Sequence, residues 1–204
     1  MTRIATGILL LLAAAGSVIP RYFTSGFTHV IPHGLDHVLF ILGLFLLNRS
    51  FAVLLFQMTL FTVAHSLTLG LALYGLVSLP SAVVEIAIAA SITFIAVENL
   101  TCRERLSAWR PWVVFGFGLI HGLGFAHIFA GSPPSQSEFL PALFSFNFGI
   151  ECGQLAVVGL AFGVSRIFSN PANYRRRIVT PACVIIAMAG LFLAVQRIAG
   201  ITHF

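Results

Sequence analysis

An apolar run of this chain opens with the stretch His33-Gly34-Leu35-Asp36-His37-Val38-Leu39-Phe40 (residues 33–40), and His29 lies just before it. On one continuous helix His29, His33 and His37 would follow one another at i, i+4 and i+8, with Asp36 beside them. Ionisable side chains are costly inside a membrane span and are functional candidates there by default. The alternative is a helix that starts at the membrane interface, where these groups still contact water and Asp36 helps to cap the helix. We interpret the stretch as part of a functional site.

The composition is that of a polytopic membrane protein. Of the 204 residues, 58% are hydrophobic and only 8% are charged, and the apolar runs are too many for the core of a soluble domain to absorb. The formal net charge of +5 comes from arginine alone, since the chain has no lysine. The arginines lie in short clusters at the ends of apolar runs, which favours membrane orientation over nucleic-acid binding. We therefore expect the lipid bilayer as a partner and no nucleic acid, and we leave homo-oligomerisation open.

The apolar runs predict an all-α membrane bundle of seven transmembrane helices. The predicted spans are residues 4–19, 32–47, 51–76, 81–100, 112–130, 141–167 and 178–199. The first run also resembles a secretory signal, because Ala13-Ala14-Ala15-Gly16-Ser17 offers a cleavage site after it, and cleavage would leave six spans. We favour an uncleaved first helix. The chain is thus one transmembrane domain (1–204), with a first span or signal (1–20) and a six-helix core that carries the polar site (29–199).

The arginines also predict the orientation of the bundle. The loops after the second, fourth and sixth spans are basic, and carry Arg49, Arg103, Arg105, Arg110, Arg175, Arg176 and Arg177. The loops after the first, third and fifth spans carry only Arg21. By the positive-inside rule the N-terminus is in the cytoplasm and the C-terminus is outside.

Small residues recur at four-residue spacing on the fifth and sixth predicted spans. The pairs are Gly118 with Gly122, Gly149 with Gly153, and Gly159 with Gly163. Such spacing lets helices approach each other closely, so we expect all six glycines to pack against neighbouring helices.

In this orientation most of the intramembrane acids and histidines fall in the outer half of the bilayer, and their convergence predicts a single site. Neutral imidazole with carboxylate suits a divalent transition metal ion, and nickel, cobalt, zinc and iron are the candidates. The candidate metal ligands are Asp36, His37, His65, His121 and Glu151. The candidates for orienting these ligands, or for a pathway, are His29, His33, Ser66, Ser91, Glu98, Asn99, Asn147 and Gln154.

Helical spacing adds two details to this site. Asn147, Glu151 and Gln154 are spaced i, i+4 and i+7, and form one polar stripe on the sixth span. Ser91 and Glu98 share a face of the fourth span, which would carry a path towards the cytoplasm. The alternative is that these polar side chains only form hydrogen bonds between helices.

Five stretches of the chain also carry a family resemblance. They are GLDHVLF (34–40), FTVAHSLTL (61–69), VENL (97–100), GLIHGLGFA (118–126) and FNFGIECGQ (146–154). In these stretches the chain resembles the HupE/UreJ family of hydrogenase and urease accessory membrane proteins, and is closest to its broader, less characterised bacterial subgroup. The family is regarded as one of nickel or cobalt permeases, so the resemblance implies a multi-pass protein of the bacterial cytoplasmic (inner) membrane. It also implies that Asp36 and His37 are metal ligands.

The chain departs from the family's nickel-permease signature at one point. In that signature five residues separate a histidine from the Asp-His pair. Here six residues lie between His29 and Asp36, and His33 is too close to the pair. The identity of the metal therefore does not follow from the signature.

Three functions fit these observations. We favour a permease that moves a divalent metal ion, nickel or cobalt first, from the outside to the cytoplasm. The first alternative is an intramembrane metalloenzyme with a lipid-soluble substrate, which is not favoured because the chain has no HExxH and no GxSxG motif. The second is an accessory subunit in which the polar cluster only holds the helices together.

Overall fold

The computed structural model describes residues 18–101, 108–130, 134–166 and 174–200, and all its regular elements are helices. The helices are α1 (described as Val18–Val30), α2 (Leu35–Leu47), α3 (Phe51–Leu73), α4 (Ser81–Thr101), α5 (Arg110–Ala130), α6 (Phe139–Ser165) and α7 (Thr180–Ile198). A π-helical turn, Arg175–Val179, leads into α7. The predicted all-α class is confirmed for the described residues.

Among the described residues, four segments are long and apolar enough to cross a bilayer: α3, α4, α6 and Arg175–Ile198. The helices α1 and α2 pass the same test only together, as one span bent by 66°, which makes five candidate spans. The count of seven spans and the orientation stay predictions. Residues 1–17, which would form the first span or a signal peptide, lie outside the described residues.

The break between α1 and α2 differs from the sequence prediction. We expected a loop before a helix beginning at Pro32, but Val18–Val30 is helical and α2 begins only at Leu35. The placement of three histidines on one continuous helix face is therefore wrong. Pro32 lacks an N–H and disfavours helical backbone in the residue before it, so the helix ends ahead of it. Gly34 then packs so closely on the carbonyl group of His29 that a Cβ atom would collide with it.

Four of the six predicted glycines do pack against neighbouring helices. A Cβ at Gly118 or Gly122 would collide with backbone of α3, and a Cβ at Gly149 or Gly153 would press on α1. These contacts let α5 and α3, and likewise α6 and α1, approach closely. The described residues do not bear out the prediction for Gly159 and Gly163, where an added Cβ would meet none of their atoms within 4 Å.

Helix α2 lies at the centre of the bundle and contacts α3, α4, α6 and α7. It has 13 residues, so it is about 20 Å long, which is less than the hydrocarbon thickness of about 30 Å. It can therefore cross the bilayer only together with α1. The break between the two helices places His29 and His37 beside the middle parts of α3 and α5.

Candidate metal centre

The break brings together three histidines from three helices. The ring centroids of His29 on α1 and His37 on α2 are 4.7 Å apart, and His65 on α3 lies 6.3 Å and 6.0 Å from them. One ring nitrogen from each histidine lies within 4.8 Å of those of the other two. His29, which we expected only in a supporting role, is thus part of this histidine triad.

His121 on α5 lies next to the triad. Its ring centroid is 5.2 Å from that of His37, and its Nδ1 donates a hydrogen bond to the carbonyl oxygen of Phe117 at 2.8 Å. With the proton on Nδ1, the lone pair of His121 is on Nε2, the atom that could bind a cation. Gly122 allows this position, because it lets α5 pack against the backbone of His65.

Five of the ring nitrogens of these histidines are buried and lack hydrogen-bond partners among the described residues. The unpaired buried atoms are Nε2 of His29, His37, His65 and His121, together with Nδ1 of His65. A buried polar group without a partner costs about 1–3 kcal/mol, and native proteins contain few of them. Five such atoms in one cluster are therefore evidence for a ligand that the histidines bind.

The spacing of the triad fits a metal ion after a small movement. Three imidazole nitrogens bound to one ion at about 2.1 Å lie about 3.4 Å apart in a tetrahedral arrangement. In the triad the nitrogens lie within 4.8 Å of one another, so binding would bring them closer by up to about 1.4 Å. Small rotations of the rings would close that difference.

Phenylalanine side chains surround the histidines and exclude water. The ring of Phe125 lies 4.0 Å from that of His29, and the ring of Phe61 lies 4.9 Å from that of His121, centroid to centroid. His65 is 0% exposed to solvent. Electrostatic interactions are stronger in such an apolar environment than in water.

Asp36, the carboxylate expected beside His37, is held by an arginine. Its Oδ2 accepts a hydrogen bond of 2.7 Å from Nη2 of Arg197 near the end of α7. The same guanidinium donates through Nη1 to the carbonyl oxygen of Glu85 at 2.7 Å, and its Nε lies 3.9 Å from the Glu85 carboxylate. Arg197 therefore connects α2, α4 and α7. Arg197 was not among the residues predicted from the sequence, although an arginine in the last apolar run needs a partner.

Comparison with known protein families agrees with the resemblance carried by the five sequence stretches quoted above. The chain matches the family model described as HupE / UreJ protein over residues 7–197. The chain belongs to the HupE/UreJ family. No curated protein and no solved structure matches it.

Three of the five stretches that carried the HupE/UreJ resemblance contribute a histidine to this cluster. Residues 34–40 form the start of α2 with His37, residues 61–69 contribute His65, and residues 118–126 contribute His121. His29 lies outside these stretches. It joins the triad because of the break between α1 and α2.

The polar stripe of this HupE/UreJ protein on α6 mostly faces the threonines of α3. Glu151 Oε1 accepts a hydrogen bond from Thr59 at 2.8 Å, and Gln154 Oε1 accepts one from Thr62 at 3.4 Å. Asn147 lies beside the ring of His65, and its Nδ2 donates to Leu143. Glu151, an expected ligand, thus lies outside the triad, and Asn147 is the member of the stripe placed to orient a histidine.

Two further predicted residues make only local hydrogen bonds. Ser66 donates to the carbonyl oxygen of Thr62 at 2.6 Å. The exposed His33 has its Nδ1 3.1 Å from the carbonyl oxygen of Thr28. Neither residue belongs to the triad.

The residues expected on an inward path are bonded to other groups. Glu98 forms a buried ion pair of 2.5 Å with Arg110, which is the first residue of α5. Asn99 donates to the carbonyl oxygen of Gly43 at 2.6 Å, and Ser91 donates to that of Ile88 at 2.7 Å. The bonds of Glu98 and Asn99 tie α4 to α5 and α2 at the end of the bundle that we predict to be cytoplasmic, whereas the bond of Ser91 lies within α4.

Proposed function

We propose that this HupE/UreJ protein is an integral membrane permease for a divalent transition metal ion, with nickel or cobalt as its substrate. The ion would bind to His29, His37 and His65, with His121 as a further ligand from α5. The single observation that carries this proposal is the cluster of buried ring nitrogens without hydrogen-bond partners at the helix break.

The chemistry of the donors supports this substrate class. Neutral imidazole is a good ligand for nickel, cobalt, zinc and iron, whereas magnesium and calcium prefer oxygen donors. Asp36 and Glu85 share the single cation of Arg197, so this group carries a formal charge of −1 beside the histidines. A net negative charge would attract a cation to the site.

A discontinuous helix also suits a transporter. Substrate sites of many secondary transporters lie near the bilayer midplane, where a spanning helix is broken. In this chain the break at residues 31–34 separates His29 from His37. Small changes at the break would move His29 relative to His37. This movement would separate the ligands and release the ion.

A purely structural role of the cluster is less well supported. Polar side chains that hold membrane helices together do so through hydrogen bonds between the helices. The Nε2 atoms of His29, His37, His65 and His121 form none among the described residues. A histidine cluster with a packing role alone would lower the stability of the fold, because its buried ring nitrogens form no hydrogen bonds between helices.

The test is metal uptake into proteoliposomes that contain a metal-sensitive dye. We expect wild type to accumulate nickel or cobalt, His37→Ala to lose uptake, and His33→Ala to behave as wild type because His33 lies outside the triad. Both variants must remain monodisperse after purification. Absence of flux for nickel, cobalt, zinc and iron in the wild type would refute the permease.

One observation favours a metalloenzyme as the second candidate. Three histidine ligands with an open coordination position are typical of catalytic zinc sites, and the triad supplies three. An enzyme would retain its metal through a chelator wash and show no flux. A permease would release the metal in the wash and show flux, so the same preparation distinguishes the two.

A further inference from the structure

An apolar groove of about 610 Å³ lies between α2, α6 and α7. Its walls are almost entirely aliphatic and aromatic, and include Leu39, Leu42, Leu160, Val164, Ile178 and Ala182. The groove takes no part in the histidine cluster. In a bilayer an apolar groove of this kind is filled by the hydrocarbon part of another molecule.

The length of the groove corresponds to one leaflet. On α6 its lining runs from Ala156 to Ser165, a rise of about 14 Å. This is about half of the hydrocarbon thickness of about 30 Å. An acyl chain from one leaflet would therefore fill it from the membrane surface to the level of Ile31, beside the helix break.

The end of the groove near Tyr174 is strongly basic. Tyr174 lines the groove, and the guanidinium of Arg49 lies over its ring at 4.2 Å from the centroid. Three more exposed arginines lie within two positions of lining residues in sequence, and they are Arg166, Arg176 and Arg177. Among the described acids, Glu98 is the one at this end of the bundle, and it is paired with Arg110.

We propose that the groove is a binding site for an anionic phospholipid, with an acyl chain between α2, α6 and α7 and the phosphate among the exposed arginines. Basic pockets between transmembrane helices bind anionic headgroups, and each arginine near the surface strengthens that attraction. The apolar walls alone would accept any lipid. The arginines make the site selective for negative charge.

The bound chain would also contact the break that carries the metal site. Ile31, the first residue of the non-helical turn, and Val38 near the start of α2 line the far end of the groove. A filled groove would support the position of α1 relative to α2. The lipid site itself does not depend on metal transport.

The experiment measures retained lipid by native mass spectrometry. Full-length protein is reconstituted with equal amounts of phosphatidylglycerol and phosphatidylcholine that have the same acyl chains, and is then extracted in mild detergent. We expect wild type to retain phosphatidylglycerol preferentially, and Arg176→Gln with Arg177→Gln to reduce that preference about tenfold. The matched control is Arg21→Gln, another exposed arginine beside a tyrosine ring, at 5.6 Å from the Tyr22 centroid.

A second pair of variants tests the groove. Ala182→Phe fills it and should reduce retention of both lipids, whereas Ala90→Phe on the exposed side of α4 should not. If Ala182→Phe does not fold, the arginine variants still decide. Equal retention of the two lipids by wild type would overturn the proposal. So would an equal effect of Arg21→Gln, or a protein dimer whose interface covers the groove.

Discussion

The imidazole rings of His29 and His37 lie 4.7 Å apart, although the non-helical residues 31–34 separate the helices that carry them. This arrangement accounts for the departure from the nickel-permease signature. On a continuous helix one extra residue would rotate His29 by about 100° away from His37. A non-helical segment takes up the extra residue without that rotation, so the spacing in this chain remains compatible with metal binding.

The first prediction compares His29→Ala with His33→Ala. Removal of His29 takes one of three ligand nitrogens from the triad, and we expect nickel binding to weaken by at least about tenfold. His33 is exposed and makes only a local contact with Thr28, so its removal should leave affinity unchanged. Equilibrium dialysis followed by elemental mass spectrometry measures both. Equal losses in the two variants would contradict the assignment of His29 to the triad.

The second prediction concerns the contact between α3 and α5. In Gly122→Ala the new Cβ would collide with the carbonyl oxygen of His65, so we expect a loss of about 1–3 kcal/mol in the free energy of unfolding. Gly163→Ala adds the same methyl group where no atom lies within 4 Å. It should be neutral or stabilising by up to about 1 kcal/mol. Thermal unfolding in detergent compares the two variants, and equal destabilisation would show that the α3–α5 contact is looser than described.

The all-α class and the glycine contacts of α5 could be predicted from the sequence, because both depend on local periodicity. That His65 and His121 lie close to His37 could also be predicted, since each interrupts an apolar run at a position far from its ends. Their role as metal ligands stays a prediction. The role of His29 could not be predicted, because Pro32 fits the first turn of a helix as well as a break. Only the packing of α1 on α6 decides between these two interpretations.

The ion-pair partners of the charged residues could not be predicted from the sequence either. Arg197 and Asp36 are separated by 161 positions, so their ion pair depends on the arrangement of α2 against α7. Arg110 was assigned to a cytoplasmic loop because it lies among other arginines. In the structure it is the first residue of α5 and is fully buried.

The third prediction tests that long-range ion pair with a double-mutant cycle on Asp36→Asn and Arg197→Gln. The two side chains are mostly buried, with 23% and 9% of their surfaces exposed. We expect a coupling of about 1–3 kcal/mol in the free energy of unfolding. The control cycle pairs Arg197→Gln with Glu138→Gln, whose carboxylate is bonded to Ser135 in the segment before α6. Additive effects in the first cycle would show that the ion pair does not stabilise the fold.

The fourth prediction separates a structural role of Glu98 from a role in ion passage. Glu98→Gln removes the carboxylate that is paired with buried Arg110, so we expect the free energy of unfolding to fall by about 3 kcal/mol. Replacing both partners, as in Glu98→Leu with Arg110→Met, should recover much of that loss, because two apolar side chains carry no desolvation cost. The recovered double variant can then be reconstituted for uptake measurements. If Glu98 only ties α4 to α5, metal uptake per folded molecule should equal that of wild type; a stable double variant without uptake would instead place Glu98 on the path of the ion.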